Sequence, residues 1–217
     1  MTAYLDSATA TTRARYDRLA RRYDAMQSFT ERRAFERWRR ELWARIEPGR
    51  ILEIGIGTGK NVPFYPANVV VTGIDISPQM LLRARRVALD LGREVDLRVG
   101  DAQALDFPDA AFDTAVGTFV FCSVPDAVKG LAELGRVVKP DGNIWLLEHV
   151  RVDKPVIGTL MDILNPLVVP LMGANINRRT VENVRMAGLE IVSVEHPGGA
   201  LVKMIHARPG RTGSTPG

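Results

Sequence analysis

The chain has 217 residues, with 29 Lys and Arg against 25 Asp and Glu, and it is 46% hydrophobic and 25% charged. Those proportions are near globular averages and exclude a wholly disordered chain, a collagen-like repeat and a polytopic membrane protein. The single cysteine, Cys122, excludes an intramolecular disulfide framework and a cysteine-based zinc site, and fits a reduced, cytoplasmic setting. Met1 to Thr12 is polar and small, unlike a signal peptide. Residues 13–45 then hold eleven arginines against five acidic residues, so the cationic character of the chain sits in this segment. Such a segment suits an anionic surface, a phospholipid bilayer or nucleic acid, or else is a solvated helical face.

The pattern from Arg13 to Ile46 is helical. Phe35, Trp38, Leu42 and Ile46 recur at steps of three and four, with Arg33, Arg37 and Arg40 roughly opposite. Thr30 is the expected N-cap, and Pro48-Gly49 the stop. On a bilayer, Phe35, Trp38 and Trp43 are the groups expected to insert. Strands and helices then alternate. Strands are expected over 50–54, 69–75, 95–99, 112–119 and 143–150, with helices over 78–92 and 125–138, and Pro140-Asp141-Gly142 as a turn. Residues 155–174 read as an irregular apolar segment, too interrupted by Gly158, Asp162, Asn165, Pro166, Pro170 and Gly173 for a membrane span. A helix around 178–187 precedes two last strands, 189–195 and 200–207, and the Gly/Ser/Thr/Pro-rich tail 209–217 is expected to be disordered.

This order predicts a doubly wound α/β sheet of seven strands, in which ligands bind beyond the carboxyl ends of the strands. After the first strand stands Glu53-Ile54-Gly55-Ile56-Gly57-Thr58-Gly59, a glycine turn preceded by an acid. The second strand ends at Asp75, where a carboxylate can accept both hydroxyls of a ribose. The third is followed by Gly100-Asp101-Ala102, where an aspartate can accept from an exocyclic amine. A dinucleotide fingerprint would need a third glycine at position 60, which is Lys60, and this counts against a nicotinamide dehydrogenase.

In ILEIGIGTGKN at 51–61, VVTGIDIS at 70–77, VGDAQALDFPDAAFD at 99–113 and LGRVVKPDGNIWLLEHV at 134–150, the chain resembles class I S-adenosylmethionine-dependent methyltransferases. The resemblance implies a Rossmann-like methyltransferase domain over 48–208, entered through a basic amphipathic helical lid over 1–47, and S-adenosyl-L-methionine as cofactor. It implies Gly55, Gly57 and Gly59 along the methionine part of the cofactor. Glu53 would orient their turn or meet the ammonium through water. Asp75 would hold the ribose, Ile76 would pack on adenine, Asp101 and Ala102 would meet its edge, and Thr118 would sit beside the methionine moiety.

The run RYDRLARRYDAM at 15–26 is similar to two groups, bacterial phosphatidylethanolamine N-methyltransferases and quinone-biosynthesis C-methyltransferases. In both, a tyrosine of this segment covers the cofactor, so Tyr16 and Tyr23 are the candidates; the other reading of either is helix packing. The quinone enzymes usually follow with a Ser-Gly-His-Arg-Trp-like run, and here 30–38 contains no histidine. The C-terminal portion, with Arg178-Arg179-Thr180, looks like proteins that methylate lipophilic thiols. The expected acceptor is thus a membrane-borne lipid, phosphatidylethanolamine first, with a quinone precursor or hydrophobic thiol as alternatives and a non-catalytic, membrane-tethering cofactor binder as another. Tyr23 and His149 are the expected proton acceptors, and Tyr16, Arg178 and Arg179 the acceptor-binding groups. The protein is expected to lie peripherally on an anionic membrane through its N-terminal segment. Nucleic acid is not an expected partner: Thr118-Phe119-Val120-Phe121 stands where amine-methylating nucleic-acid enzymes carry an Asn/Asp-Pro-Pro-aromatic run.

Overall fold

A computed structural model describes residues 7–20, 29–172 and 175–210. Two helices, α1 (Ser7–Leu19) and α2 (Phe29–Trp43), come first. Thr30 therefore lies inside the first turn of α2 and not at its cap. An alternating run follows: β1 (Gly49–Ile54), a 3₁₀ turn at Val62–Phe64, β2 (Val69–Asp75), α3 (Pro78–Asp90), β3 (Val95–Val99), β4 (Phe112–Thr118), α4 (Ala127–Val137) and β5 (Val138–His149). Helices α5 (Pro155–Met172) and α6 (Thr180–Met186) lead to β6 (Leu189–Glu195) and β7 (Val202–Pro209). One seven-stranded sheet runs β3-β2-β1-β4-β5-β7-β6, parallel except for β7, which is antiparallel to β5 and β6. The carboxyl ends of the five parallel strands thus open on one edge.

The helix starts follow local chemistry. Ser77 caps α3 by accepting the Met80 amide, with Pro78 in the first turn, and Asp126 caps α4 by accepting the Lys129 amide. Each face of the sheet carries one apolar layer. Leu52, Ile54, Phe112, Ile144 and Leu146 pack on Leu131 and Leu134 of α4 and Val184 of α6. On the other face Ile51, Val71, Val116 and Leu147 meet Ala84 of α3 and Trp38, Leu42 and Trp43 of α2. The alternation of Ile51 and Leu52 between layers is the period of two that any strand imposes.

Three expectations are corrected. The Pro140–Gly142 turn is absorbed into β5, with a register shift against β4 between Phe112 and Thr114. Trp38 and Trp43 are buried against the sheet, and Phe35 packs on Trp38, Phe119 and His149. Helix α2 is therefore a packed wall, and its aromatic stripe is consumed by the core and does not point outward to a membrane. Finally, 155–172 is a continuous helix and not irregular. Pro155 sits in its first turn, where a missing N–H costs nothing. Side-chain bonds to the rest of the domain hold the helix: Arg151 to Asp162, and Asn165 to Asn175 and to the Ile176 amide.

Candidate functional site

The glycine turn after β1 is shaped by backbone that only glycine adopts readily, with φ of +62°, +57° and +84° at Gly55, Gly57 and Gly59. A Cβ on Gly55 would overlap Val120, whose own Cβ would lie 2.8 Å away, and a Cβ on Gly59 would lie 3.0 Å from the Ala84 Cα. Gly55 keeps the turn tight against the loop after β4, and Gly59 lets α3 approach. The Gly57 amide donates to Asp75 Oδ2 (2.9 Å) and the Ser77 amide to Asp75 Oδ1 (2.9 Å), so one carboxylate ties the ends of β1 and β2 together. Burial pushes Asp75 up to about 6, the amides of Ser77 and Gly57 pull it back, and the Asp17 carboxylate on α1 adds to the rise.

Between these strand ends and the first helices lies an open cleft lined by both polar and apolar groups, the kind of concave surface small-molecule ligands occupy. Gly55, Gly57, Asp75, Ile76, Asp101, Ala102 and Thr118 all line it, as does Tyr16 of α1. These predicted residues, which come from five separate segments, are brought together. Side-chain contacts hold helix α1 over the cleft: Thr9 accepts from Gln103 Nε2 (3.0 Å), Asp17 accepts from Ser77 Oγ (2.5 Å), and the Tyr16 hydroxyl meets Ser123 Oγ.

Other predicted residues stand elsewhere. Glu53 and Gly59 do not line the cleft. Both Glu53 carboxylate oxygens are taken beneath the turn, accepting from Asn61 Nδ2 (2.7 Å) and from the Tyr65 hydroxyl. Burial raises Glu53 to about 7, against the pull of Tyr65, Asn61 and Arg39. These bonds tie Glu53 to the segment that follows the turn. His149 packs behind Phe119 (centroids 4.7 Å apart) and against Phe35, outside the cleft lining, so it is not placed to take a proton there. Arg178 donates to the backbone oxygens of Val124 (2.6 Å) and Pro125 (3.4 Å), propping a loop that lines the cleft instead of entering it. Arg179 pairs with Glu182 at the surface. Neither arginine is available in the cleft for an acceptor's phosphate. Tyr23 lies outside the described residues.

The structure adds residues that sequence reasoning did not find. Arg39 of α2 is buried and lines the cleft, its Nη1 donating to Thr118 Oγ1 (2.7 Å) and Asn61 Oδ1 (2.7 Å). Lys60, the residue that broke the dinucleotide spacing, also lines the cleft. Gln103 is buried between Asp101, whose carboxylate accepts its Nε2 (3.0 Å), Thr9 and the Asp126 amide. Phe119 holds a left-handed φ of +55° at the cleft wall, a strained conformation for a bulky residue. Glu148 fixes that wall from behind, accepting the Val120 and Phe121 amides, and its burial raises it to about 7. An arginine three turns into an arginine-rich helix carries no local sign of its burial. Only the helical stripe, which places Arg39 beside Trp38, pointed inward.

A methyltransferase-domain family model matches residues 52–146. Over 144 residues the chain is 39% identical to a phosphatidylethanolamine N-methyltransferase of Cereibacter sphaeroides, covering 64% of this chain and 71% of that protein. Over 176 residues it is 34% identical to a ubiquinone/menaquinone biosynthesis C-methyltransferase of Citrifermentans bemidjiense, covering 76% and 74%. Among solved structures it is similar to an S-adenosylmethionine-dependent methyltransferase, possibly acting on histamine, from Thermotoga maritima, with a TM-score of 0.69 at 22% identity over 91% of this chain and 99% of that one. That last likeness concerns the fold.

Proposed function

The chain belongs to the class I S-adenosylmethionine-dependent methyltransferases, and we propose that the acceptor it methylates is the amine of phosphatidylethanolamine, toward phosphatidylcholine, at a membrane surface. The observation that carries this choice is the 39% identity to a relative named for that substrate. The histidine-free run at 30–38 supports it. The quinone reading keeps one specific observation in its favour, a longer match at 34% identity over 176 residues.

The residues fit the cofactor. The Asp75 carboxylate accepts the Gly57 and Ser77 amides through different oxygens, and its remaining lone-pair capacity would serve ribose hydroxyls. Arg39, held by Asn61 and Thr118, and Lys60 also line the cleft and would offer positive charge to the cofactor's amino-acid carboxylate. Asp101, held by Gln103, and Ala102 would meet the adenine edge, and Ile76 would offer it an apolar contact. When bound, the sulfonium supplies an already activated methyl group. What this chain contributes is orientation and exclusion of water, which together can account for roughly 7–11 kcal/mol of barrier. In this reading Tyr16, tied to Ser123, closes the cleft over the ligand, and Phe119 with Val120 forms the wall that meets the acceptor. A lipid ammonium must lose a proton before it can attack; Tyr23 or water takes it.

The test is incubation with labelled cofactor, phosphatidylethanolamine vesicles, a demethylated quinone and an alkyl thiol in parallel. Label in the phospholipid fraction is the expected result. Label only in the quinone or thiol fraction would replace the reading.

A further inference from the structure

Helix α5 is turned inside out relative to an ordinary surface helix. Val156, Ile157, Leu160, Ile163, Leu164 and Leu167 are 82, 45, 53, 66, 39 and 67% exposed. At 3.6 residues per turn these six fall within about 120° of arc, one continuous outward stripe. No charge interrupts it, because the only ionic side chain of the helix, Asp162, lies outside the arc and is held by Arg151 and Asn177.

The inward face is small or polar. Gly158 is buried against the Arg151 guanidinium, which a Cβ would strike. Asn165 donates to Asn175 Oδ1 (3.0 Å) and accepts from the Ile176 amide (2.9 Å), and Met161 Sδ accepts from the Val152 amide (3.4 Å). Rolling the helix to bury its leucines would break these bonds and strand Asn165 and Arg151. The outward apolar face is therefore fixed by the structure.

We propose that α5 lies in the plane of a lipid bilayer, its stripe among the acyl chains, and docks the domain so that the cleft faces the headgroups. Three observations choose a bilayer as occupant. The stripe exposes on the order of 600 Å², the top of the range for a monomer's largest apolar patch, yet less than the roughly 800 Å² per partner of a stable pair of copies. No helix among the described residues is long and apolar enough to cross a membrane, and a helix in the interface needs only one such stripe. Helix α2 touches the end of β5 through Phe35 and His149, a few residues before α5 begins, and its 33–45 stretch holds five arginines against two acidic residues, a charge balance that complements an anionic bilayer. Through its inward face the helix is also tied to the cleft wall. Asn175, bonded to α5, donates through backbone and side chain to the Cys122 oxygen (2.9 Å each), between Val120 and Ser123 of the cleft wall. The inference rests on the lipophilic-acceptor reading for its choice of a bilayer, and it moves the apolar membrane contact from α2, whose tryptophans are buried, to α5.

The experiment uses vesicles of phosphatidylcholine with roughly a quarter phosphatidylglycerol, which contain neither phosphatidylethanolamine nor quinone. Wild-type protein, Leu160→Asp/Ile163→Asp/Leu167→Asp and Arg33→Glu/Arg37→Glu are compared by co-sedimentation at low and high salt. The exposed α5 substitutions should leave the thermal melt unchanged and weaken binding at least tenfold at both salt concentrations. The arginine variant should weaken binding only at low salt. In a separate Ile163→Trp variant, quenching by brominated acyl chains should report insertion directly. Wild-type binding by the triple variant, or no quenching of Trp at 163, would overturn the proposal. So would a wild-type dimer that the triple variant turns monomeric with unchanged vesicle binding. Turnover of a short-chain, water-soluble phosphatidylethanolamine needs no bilayer, so failure of the acceptor reading would show there independently.

Discussion

Asp75→Ala removes the carboxylate that joins two strand ends and that the proposed cofactor site assigns to the ribose. In the free protein it accepts the Gly57 and Ser77 amides at 2.9 Å each, and a ribose would add two further bonds to the same buried oxygens. Hydrogen bonds to a charged group contribute about 1.5–3 kcal/mol each. Losing the two to ribose should therefore weaken cofactor affinity at least a hundredfold. Calorimetry with S-adenosylmethionine, adenosine and 2′,3′-dideoxyadenosine separates this from a loosened turn, because the dideoxy compound cannot make those bonds. The expected pattern is a large loss for the first two ligands and a change of less than about threefold for the third. The pH dependence gives a second check. With Asp75 near 6, the carboxylate is about nine-tenths protonated at pH 5. If the ionised form is the binder, wild-type affinity should fall about tenfold from pH 8 to pH 5, and Asp75→Ala should lose that component. Near-native affinity in a folded Asp75→Ala protein, or an equal loss for the dideoxy ligand, would refute the ribose assignment.

Gly55→Ala places a methyl group into Val120 at a φ of +62°; cofactor binding should be lost, and Val120→Ala in the same chain should restore part of it by calorimetry. Arg39→Met should weaken S-adenosylmethionine ten- to a hundredfold while leaving adenosine unchanged, since Arg39 stands at the Thr118 end of the cleft; equal losses for both ligands would show that Arg39 acts only through the fold. Glu53 is displaced upward, from 4.5 to about 7, so the native state binds its proton more tightly than the unfolded chain does. Its contribution to stability is complete below pH 4.5 and is lost as pH rises to about 7, a change on the order of 3 kcal/mol. Glu53→Gln, whose amide can donate to the Tyr65 oxygen, should flatten that part of the denaturation-versus-pH curve, and an unchanged slope would show that Glu53 is not the titrating group.

The strand ends were legible in the sequence because each expected parallel strand, once placed, must deliver its next residues to one edge of the sheet. That is why Gly55, Gly57, Asp75, Asp101 and Thr118 meet in the cleft although 63 positions separate the first from the last. The glycines and the Ser77-Pro78 cap are local signals whose physics is complete within a few residues. The tertiary structure decided the direction and company of side chains. It buried Arg39 against Thr118, 79 positions away, and put His149 behind Phe119. It spent Arg178 on the carbonyls of Val124 and Pro125. Periodicity gives a helix its stripe without saying whether the stripe meets a core or a solvent. In α2 the sheet supplies an apolar partner for Trp38 and Trp43, whereas in α5 the polar anchors at Asp162 and Asn165 win the inward face and leave the leucines outside. Which face wins depends on partners brought together only when the chain has folded.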